Sequence, residues 1–452
     1  MCQGKRGIFN CGKNQPHRKI RPETIMPRHQ GLLFQWQYAN HALSNSKDIF
    51  NYMTNEAKSG GYNASLWSGD FILLFLSNFF LCFGADMIMP VLPVYLSQAG
   101  GNNFQIGIVM GCFTVSAIII RLFAVRITGY LGSRVFLMAG LLVSALAAGG
   151  YYLTTAILLI FLLRIFHGFG FGATTTLYGA LISNIIPKSR MGEGMGYFGL
   201  GIVIATAIGP FLGAIIVLKP DYQWVFLLSS GLILISIVLT KLSRAGRDEK
   251  VTASGHASGF SMADFFEKKA LFPSILSFFV GFSLSGVFTF IVLFGKEAGI
   301  EKGIGLFFII TSVAEFLIRV ASGRLYDRHG HFIVLVPGAS ACLIGLVLLA
   351  LSKNLPMFMA ASVFYGSGLG MIFPVLQAWS VRSVDPGRRV AATATFFNFM
   401  DGGVAVGSVI LGLIAQATDF AGMYMYSALA FVLFLAVYFA YHLWTKKKAA
   451  VC

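Results

Sequence analysis

Charge is what this chain has least of. Only 12% of its 452 residues are Asp, Glu, Lys or Arg, while 56% are hydrophobic; soluble globular chains carry about a quarter charged residues. So few charges cannot clothe a water-facing surface of this size, and a soluble α/β enzyme is excluded. Acids are the scarcer sign: 18 of them against 34 Lys and Arg leave a formal net charge of +16. An excess of that size raises the question of nucleic acid. The basic residues, however, stand in short clusters between apolar stretches, the pattern that orients membrane proteins, so no nucleic-acid partner is expected. Cysteine is sparse as well. Cys2, Cys11, Cys82, Cys112, Cys342 and Cys452 show no metal-ligand spacing, and the three in apolar stretches read as small packing residues. No nucleophile–base set or phosphate loop stands in the short loops, so no enzymatic activity, cofactor or metal is expected.

What is plentiful suits lipid. The chain holds 43 Phe and 51 Gly, and glycine lets membrane helices approach closely. About 20 apolar residues cross a bilayer core of ~30 Å as a helix. Such stretches lie near 70–97, 104–126, 135–154, 156–183, 197–218 and 223–241, and again near 271–295, 303–326, 332–352, 355–381, 392–415 and 422–444. Between the two sets, Arg244, Arg247, Asp248, Glu249, Lys250, Lys268 and Lys269 make 242–270 too charged to cross. The expected fold is an all-α membrane protein of twelve spans in two pseudo-symmetric six-helix bundles. The bundles cover 66–241 and 271–445, with a cytoplasmic linker at 242–270 and a cytoplasmic tail at 446–452.

Alternate loops differ in charge. One set carries Arg126, Arg134, Lys188, Arg190, the central run, Arg324, Arg328, Arg382, Arg388, Arg389 and Lys446 to Lys448; the other holds only Lys219, Lys296, Lys302 and Lys353. Positive loops stay inside, so both ends of the chain are expected in the cytoplasm, with the protein in the plasma membrane. Residues 1–65 differ from the rest, with nine Lys and Arg, three acids and no apolar run long enough for a signal peptide. They read as a basic disordered tail near anionic lipid, or as an extension ahead of a natural start at Met53.

A repeat underlies the two sets of spans. At an offset of 198 residues Arg121 falls on Arg319, Arg126 on Arg324, Gly132 on Gly330, Phe166 on Phe364, and Arg190 on Arg388. Gly168, Gly170 and Gly172 fall on Gly366, Gly368 and Gly370, and Gly209 on Gly407. Arginines and glycines agreeing at one ungapped offset point to a duplication in parallel orientation. Transporters built this way hold substrate where the repeats meet near mid-membrane.

The motifs on this frame resemble those of the major facilitator superfamily, over essentially 70–445. Arg319-Val-Ala-Ser-Gly323-Arg324-Leu-Tyr-Asp327-Arg328-His-Gly330, read as the loop after the eighth span, is similar to the family's gating signature. The matching stretch, Arg121 to Arg126, Gly129, Gly132 and Arg134, has Gly129 in place of the signature's aspartate and Tyr130 in place of its arginine. In the family that aspartate faces a neighbouring helix end and helps hold the outward-open state. Arg164-Ile-Phe-His167-Gly168-Phe-Gly170 looks like the family's intramembrane arginine motif. Gly196, Ala205, Gly209, Pro210 and Gly213 resemble the glycine–proline motif of its proton-coupled exporters, with Ala205 where a glycine is usual. Small residues there are expected to pack the halves closely, and Pro210 to bend the helix.

Three acids stand within apolar spans: Asp86, Glu315 and Asp401. A charged carboxylate at the bilayer centre costs ~2.5 kcal/mol or more, so each is a candidate to exchange protons or to touch substrate, together with Arg164. Each also has a plainer reading. Glu315 precedes Arg319 by one turn and suits an internal ion pair. Asp401 stands in a small-residue helix, Asp86 one turn before Pro90, and His167 suits a packed neutral residue. Phe75, Phe79, Phe80, Phe83, Phe396, Phe397 and Phe399 are candidates to line a site for flat molecules. The resemblance implies a secondary transporter of the drug/metabolite:proton antiporter kind. It would work as a monomer in lipid, moving a small amphipathic molecule outward against protons. Proton-coupled nutrient uptake, and a non-transporting receptor or scaffold with this fold, stay open as alternatives.

Overall fold

Lipid offers a backbone no hydrogen-bond partners, so a crossing segment must satisfy its own N–H and C=O groups as helix. The computed structural model describes residues 66–187, 190–245, 267–385 and 388–451; the extension over 1–65 and most of the linker lie outside the described residues. Twelve described segments are long and apolar enough to cross a membrane. The first is made of α1 (Gly69–Ile88) and α2 (Val91–Gln98), parted at Pro90, which has no N–H to give. Then follow α3 (Asn103–Leu131), α4 (Ser133–Gly150), α5 (Ile157–Ile185), α6 (Met191–Ile216) and α7 (Trp224–Leu242). The second set is α8 (Leu271–Glu297), α9 (Ile304–His329), α10 (Phe332–Ala350), α11 (Leu355–Arg382), α12 (Arg389–Ala417) and α13 (Phe420–Val451).

Polar caps start several of these helices. Ser68 accepts from the Phe71 N–H at 3.2 Å, Asn354 from the Met357 N–H at 3.0 Å, and Asn102 and Gln105 form a reciprocal capping box. Their ends correct one expectation. The signature stretches are helix rather than loop: α3 runs to Leu131 and α9 to His329, and the chain turns only at Gly132 (φ 80°) and Gly330 (φ 79°). Continued helix keeps carbonyls paired until the chain reaches water, and only glycine enters that φ region without strain. For the same reason α13 continues through 446–451, the stretch expected as a tail.

Packing repeats as the sequence does. In the first bundle α3 and α4 pack on α5, α1 on α6 and α7, and α4 on α7; in the second α9 and α10 pack on α11, α8 on α12 and α13, and α10 on α13. Single contacts recur at the same offset. A Cβ at Gly168 would strike the Phe113 carbonyl oxygen, and one at Gly366 that of Thr311; Gly172 presses on Ala117 as Gly370 does on Glu315. The halves meet along α3 against α12 and α6 against α9, two seams that the repeat interchanges. On the face away from the basic loops, a cleft of about 300 Å³ lies between the halves, lined by Gln98, Lys219, Tyr222, Gln223, Lys296 and Glu301.

Both described ends of the linker are pinned. Arg134 donates to the carbonyls of Thr240, Lys241, Ser243 and Ala245 at 2.8 to 3.2 Å, and Asp70 accepts from the Ser243 hydroxyl and the Arg244 N–H. At the far end Arg388 Nε donates to Glu267 at 2.8 Å, which holds that carboxyl below the ordinary carboxylate range.

Candidate functional site

Asp86 lies in the last turn of α1, half-buried, and its carboxyl makes no hydrogen bond or ion pair among the described residues. Small residues of α6 bring that helix against it. A Cβ on Gly209 would stand 3.0 Å from the Asp86 Cβ, and one on Gly213 would strike the Met87 carbonyl oxygen and approach Pro90 Cγ at 2.9 Å. The glycine–proline motif therefore packs α6 on α1 within one half, not between the halves as expected. Gly209 and Gly213 fall on the face of α6 that meets the Asp86–Pro90 bend. Ala205 is fully buried in this helix, whereas Gly196 has open space where a side chain would go.

Arg164, in the third turn of α5, is fully buried. It reaches Met89, three residues beyond Asp86 and just past the end of α1, with Nη2 at 3.3 Å from the thioether sulfur, and its guanidinium lies 4.2 Å from the centre of the Phe113 ring. Nε and Nη1 have no hydrogen-bond partner, and no carboxylate pairs with it among the described residues. His167 is fully buried one turn on; Nδ1 is 3.2 Å from the Tyr151 hydroxyl, and Nε2 is unpartnered. The arrangement is a buried cation held by a sulfur and a ring at the end of α1, the helix whose last turn carries the Asp86 carboxyl. An uncompensated buried charge is costly.

The other acids have partners. Glu315 pairs with Arg319 one turn later, as expected from the spacing, and Arg319 lies over the Phe373 ring at 5.7 Å. Asp401 on α12 pairs with Arg121 on α3, across the two halves. In the gating signature Asp327 takes Arg382 Nη2 at 2.8 Å. Arg324 and Arg328 are exposed on the basic face, Arg126 is exposed at the matching place, and Gly323 has open space around it. At the repeat positions of Asp327 and Arg382 stand Gly129 and Asn184, so the first half lacks both members of that surface pair. The structure thus brings Asp86, Gly209 and Gly213 together, sets Arg164 on Met89 at the end of the same helix, and sets Glu315 apart. Phe79 stacks on Phe83 in α1, and Phe396 and Phe397 pack on Phe373 in the second half. Met89, Phe113 and Tyr151, which surround Arg164 and His167, have no spacing signal in the sequence.

Twelve helices long and apolar enough to span, in two related bundles with charged groups held inside them, mark a multi-pass membrane protein built like a transporter. The model of the Major Facilitator Superfamily matches residues 74–400 and 301–451, and the chain belongs to that family. An uncharacterized MFS-type transporter of Methanocaldococcus jannaschii is 24% identical over 367 residues, 79% of this chain and 94% of that one. The multi-drug resistance efflux pump PmrA of Streptococcus pneumoniae is 24% identical over 374 residues, 76% of this chain and 90% of the pump. The quinolone resistance protein NorA of Staphylococcus aureus is 27% identical over 157 residues, 34% of this chain and 40% of NorA. Among solved structures, a bacterial homolog of the human lysosomal transporter Spinster, in an inward-facing and unoccupied conformation, has a TM-score of 0.67 at 14% identity, covering 83% of this chain and 97% of that one. The nucleoside transporter NupG gives 0.63 at 15%, covering 81% and 98%. At such identities these structures speak for the fold alone.

Proposed function

We propose that this protein exports small amphipathic molecules across the plasma membrane in exchange for protons, by alternating access, as a monomer with its basic face in the cytoplasm. The observation that carries the reading is Asp86, a carboxyl in the membrane that accepts no hydrogen bond and lies where α6 packs on the α1–α2 bend. Without a partner it takes up a proton when closed off from water and gives it up when water enters, which couples proton movement to the motion of the halves. Arg164 of α5 reaches Met89, one turn beyond Asp86 and just past the end of α1, so a buried cation stands beside the same bend. Export rather than uptake is favoured by the efflux-pump relatives and by the glycine–proline motif in α6. The test is transport in sealed vesicles with an imposed pH gradient and a panel of dyes and nutrients. Asp86→Asn keeps size and most hydrogen bonding but cannot titrate. Gradient-driven movement of dyes should collapse while dye binding and yield stay at parental levels. Undiminished accumulation by this variant would end the proposal.

A further inference from the structure

Arg121 and Arg319 occupy equivalent places in the repeat and use their charges differently. Arg319 turns to Glu315 on its own helix, one turn back. At the position matching Glu315 the first half has Ala117, so Arg121 has no acid on its own helix to turn to. It reaches instead across the seam to Asp401 on α12. The reverse connection is impossible, because the position matching Asp401 on α6 is Val203. Among the described residues, one of two related seams is therefore tied by charge and the other is not.

The tied seam is also the more closely fitted. From the face away from the basic loops inward, Phe104 N–H donates to Gln416 Oε1 at 3.2 Å and Asn103 Nδ2 to the Ala415 carbonyl at 3.3 Å. Gly107 then meets the Ser408 backbone and Gly111 the Ala405 carbonyl. The Arg121–Asp401 pair follows, about 27 Å along α3 from its first residue at 1.5 Å per residue. Both side chains are mostly shielded, 26% and 18% exposed. Across the other seam, Gly305 of α9 meets Phe211 and Ile215 near the far end of α6.

We propose that the Arg121–Asp401 ion pair is a tie between the two halves that holds the α3–α12 seam shut in this conformation. It lies about 12 Å deeper along α3 than Gly129, the repeat position of Asp327. The seam opens only when the pair parts, and the second seam opens without such a step. The inference rests on alternating access, part of the function proposed above, but not on its substrate or its coupling to protons.

Ser408 is 1% exposed in the seam, which makes it a reporter. In a chain with its six cysteines replaced by alanine, Ser408→Cys is placed in nanodiscs and its reaction with a water-soluble maleimide is timed. Neutralising either partner, Arg121→Gln or Asp401→Asn, should raise the rate on the order of tenfold, inside the usual range for coupling between sites. The exchange Arg121→Asp with Asp401→Arg should return it close to the parental rate. The neutral pair Arg121→Gln with Asp401→Asn leaves no charge unmatched and should react like either single variant, because one tie can be lost only once. It carries the test should a single variant fail to purify. Unchanged rates in the neutralised variants, or an exchange as reactive as they are, would overturn the tie. Because labelling needs neither substrate nor pH gradient, its failure would leave the transport reading standing, and loss of that reading would leave the labelling result intact.

Discussion

Arg164 is among the largest side chains buried completely in this protein, and it is charged. A buried ion held by a sulfur, a ring face and the neighbouring Tyr151 hydroxyl, with no carboxylate pairing it among the described residues, is kept at a cost, since its N–H groups lose water and gain little in return. Replacing buried charges by apolar groups of similar shape is commonly neutral or stabilising by ~1–4 kcal/mol. Arg164→Met keeps the length and removes the charge. Its thermal midpoint in detergent is expected to equal or exceed that of the parent, while gradient-driven export falls to background. A large loss of stability with export retained would instead make Arg164 a structural residue. The position of this arginine was legible in the sequence, since an arginine inside an apolar stretch stands out. Its surroundings were not. Met89, Phe113 and Tyr151 come from three different elements and look like ordinary apolar residues of a membrane helix. The Arg121–Asp401 pair was hidden for a related reason: each member belongs to a separate pattern 280 residues apart, and nothing local joins them.

At the scale of the element, α6 shows how far a motif can be read without its neighbours. Its small residues announce close packing, but periodicity does not say against which helix. The structure sets Gly209 and Gly213 on α1, where a Cβ at 213 would strike the Met87 carbonyl, and leaves Gly196 facing open space. Substitutions along this one helix should therefore differ sharply. Gly213→Val forces α1 and α6 apart and should cost about 1–3 kcal/mol, the usual range for overpacking. Gly196→Ala meets nothing and removes backbone freedom from the unfolded chain, so it should be neutral or stabilising by up to ~1 kcal/mol. Unfolding followed by helical circular dichroism in a graded denaturing detergent compares the two. Equal effects would mean that the motif does not act through the α1 contact. Helix ends were legible only roughly, because hydropathy reports where lipid stops while the backbone stays helical until a glycine such as Gly132 or Gly330 lets it turn.

At the scale of the molecule, the duplication was the most legible feature, and the structure repeats it contact by contact, from Gly168 on Phe113 to Gly366 on Thr311. Orientation is the whole-molecule property that still rests on charge. Arg126, Arg324, Arg328 and Arg382 stand on one face, while the cleft with Lys219 and Lys296 is on the other. Basic residues flanking short loops resist translocation, so the face rich in arginine should lie in the cytoplasm and the cleft outside. Gln223 and Arg328 are both exposed, on opposite faces, and neither belongs to the group around Asp86. In a cysteine-free chain expressed in intact cells, Gln223→Cys should react with a membrane-impermeant maleimide added outside. Arg328→Cys should react only after the membrane is opened. Twelve spans return the chain to its starting side, so these two positions fix every loop at once. Labelling of Arg328→Cys in sealed cells would invert the molecule. Asp86 and Arg164 would keep their places, but the direction of pumping proposed here would have to be argued again from the opposite side.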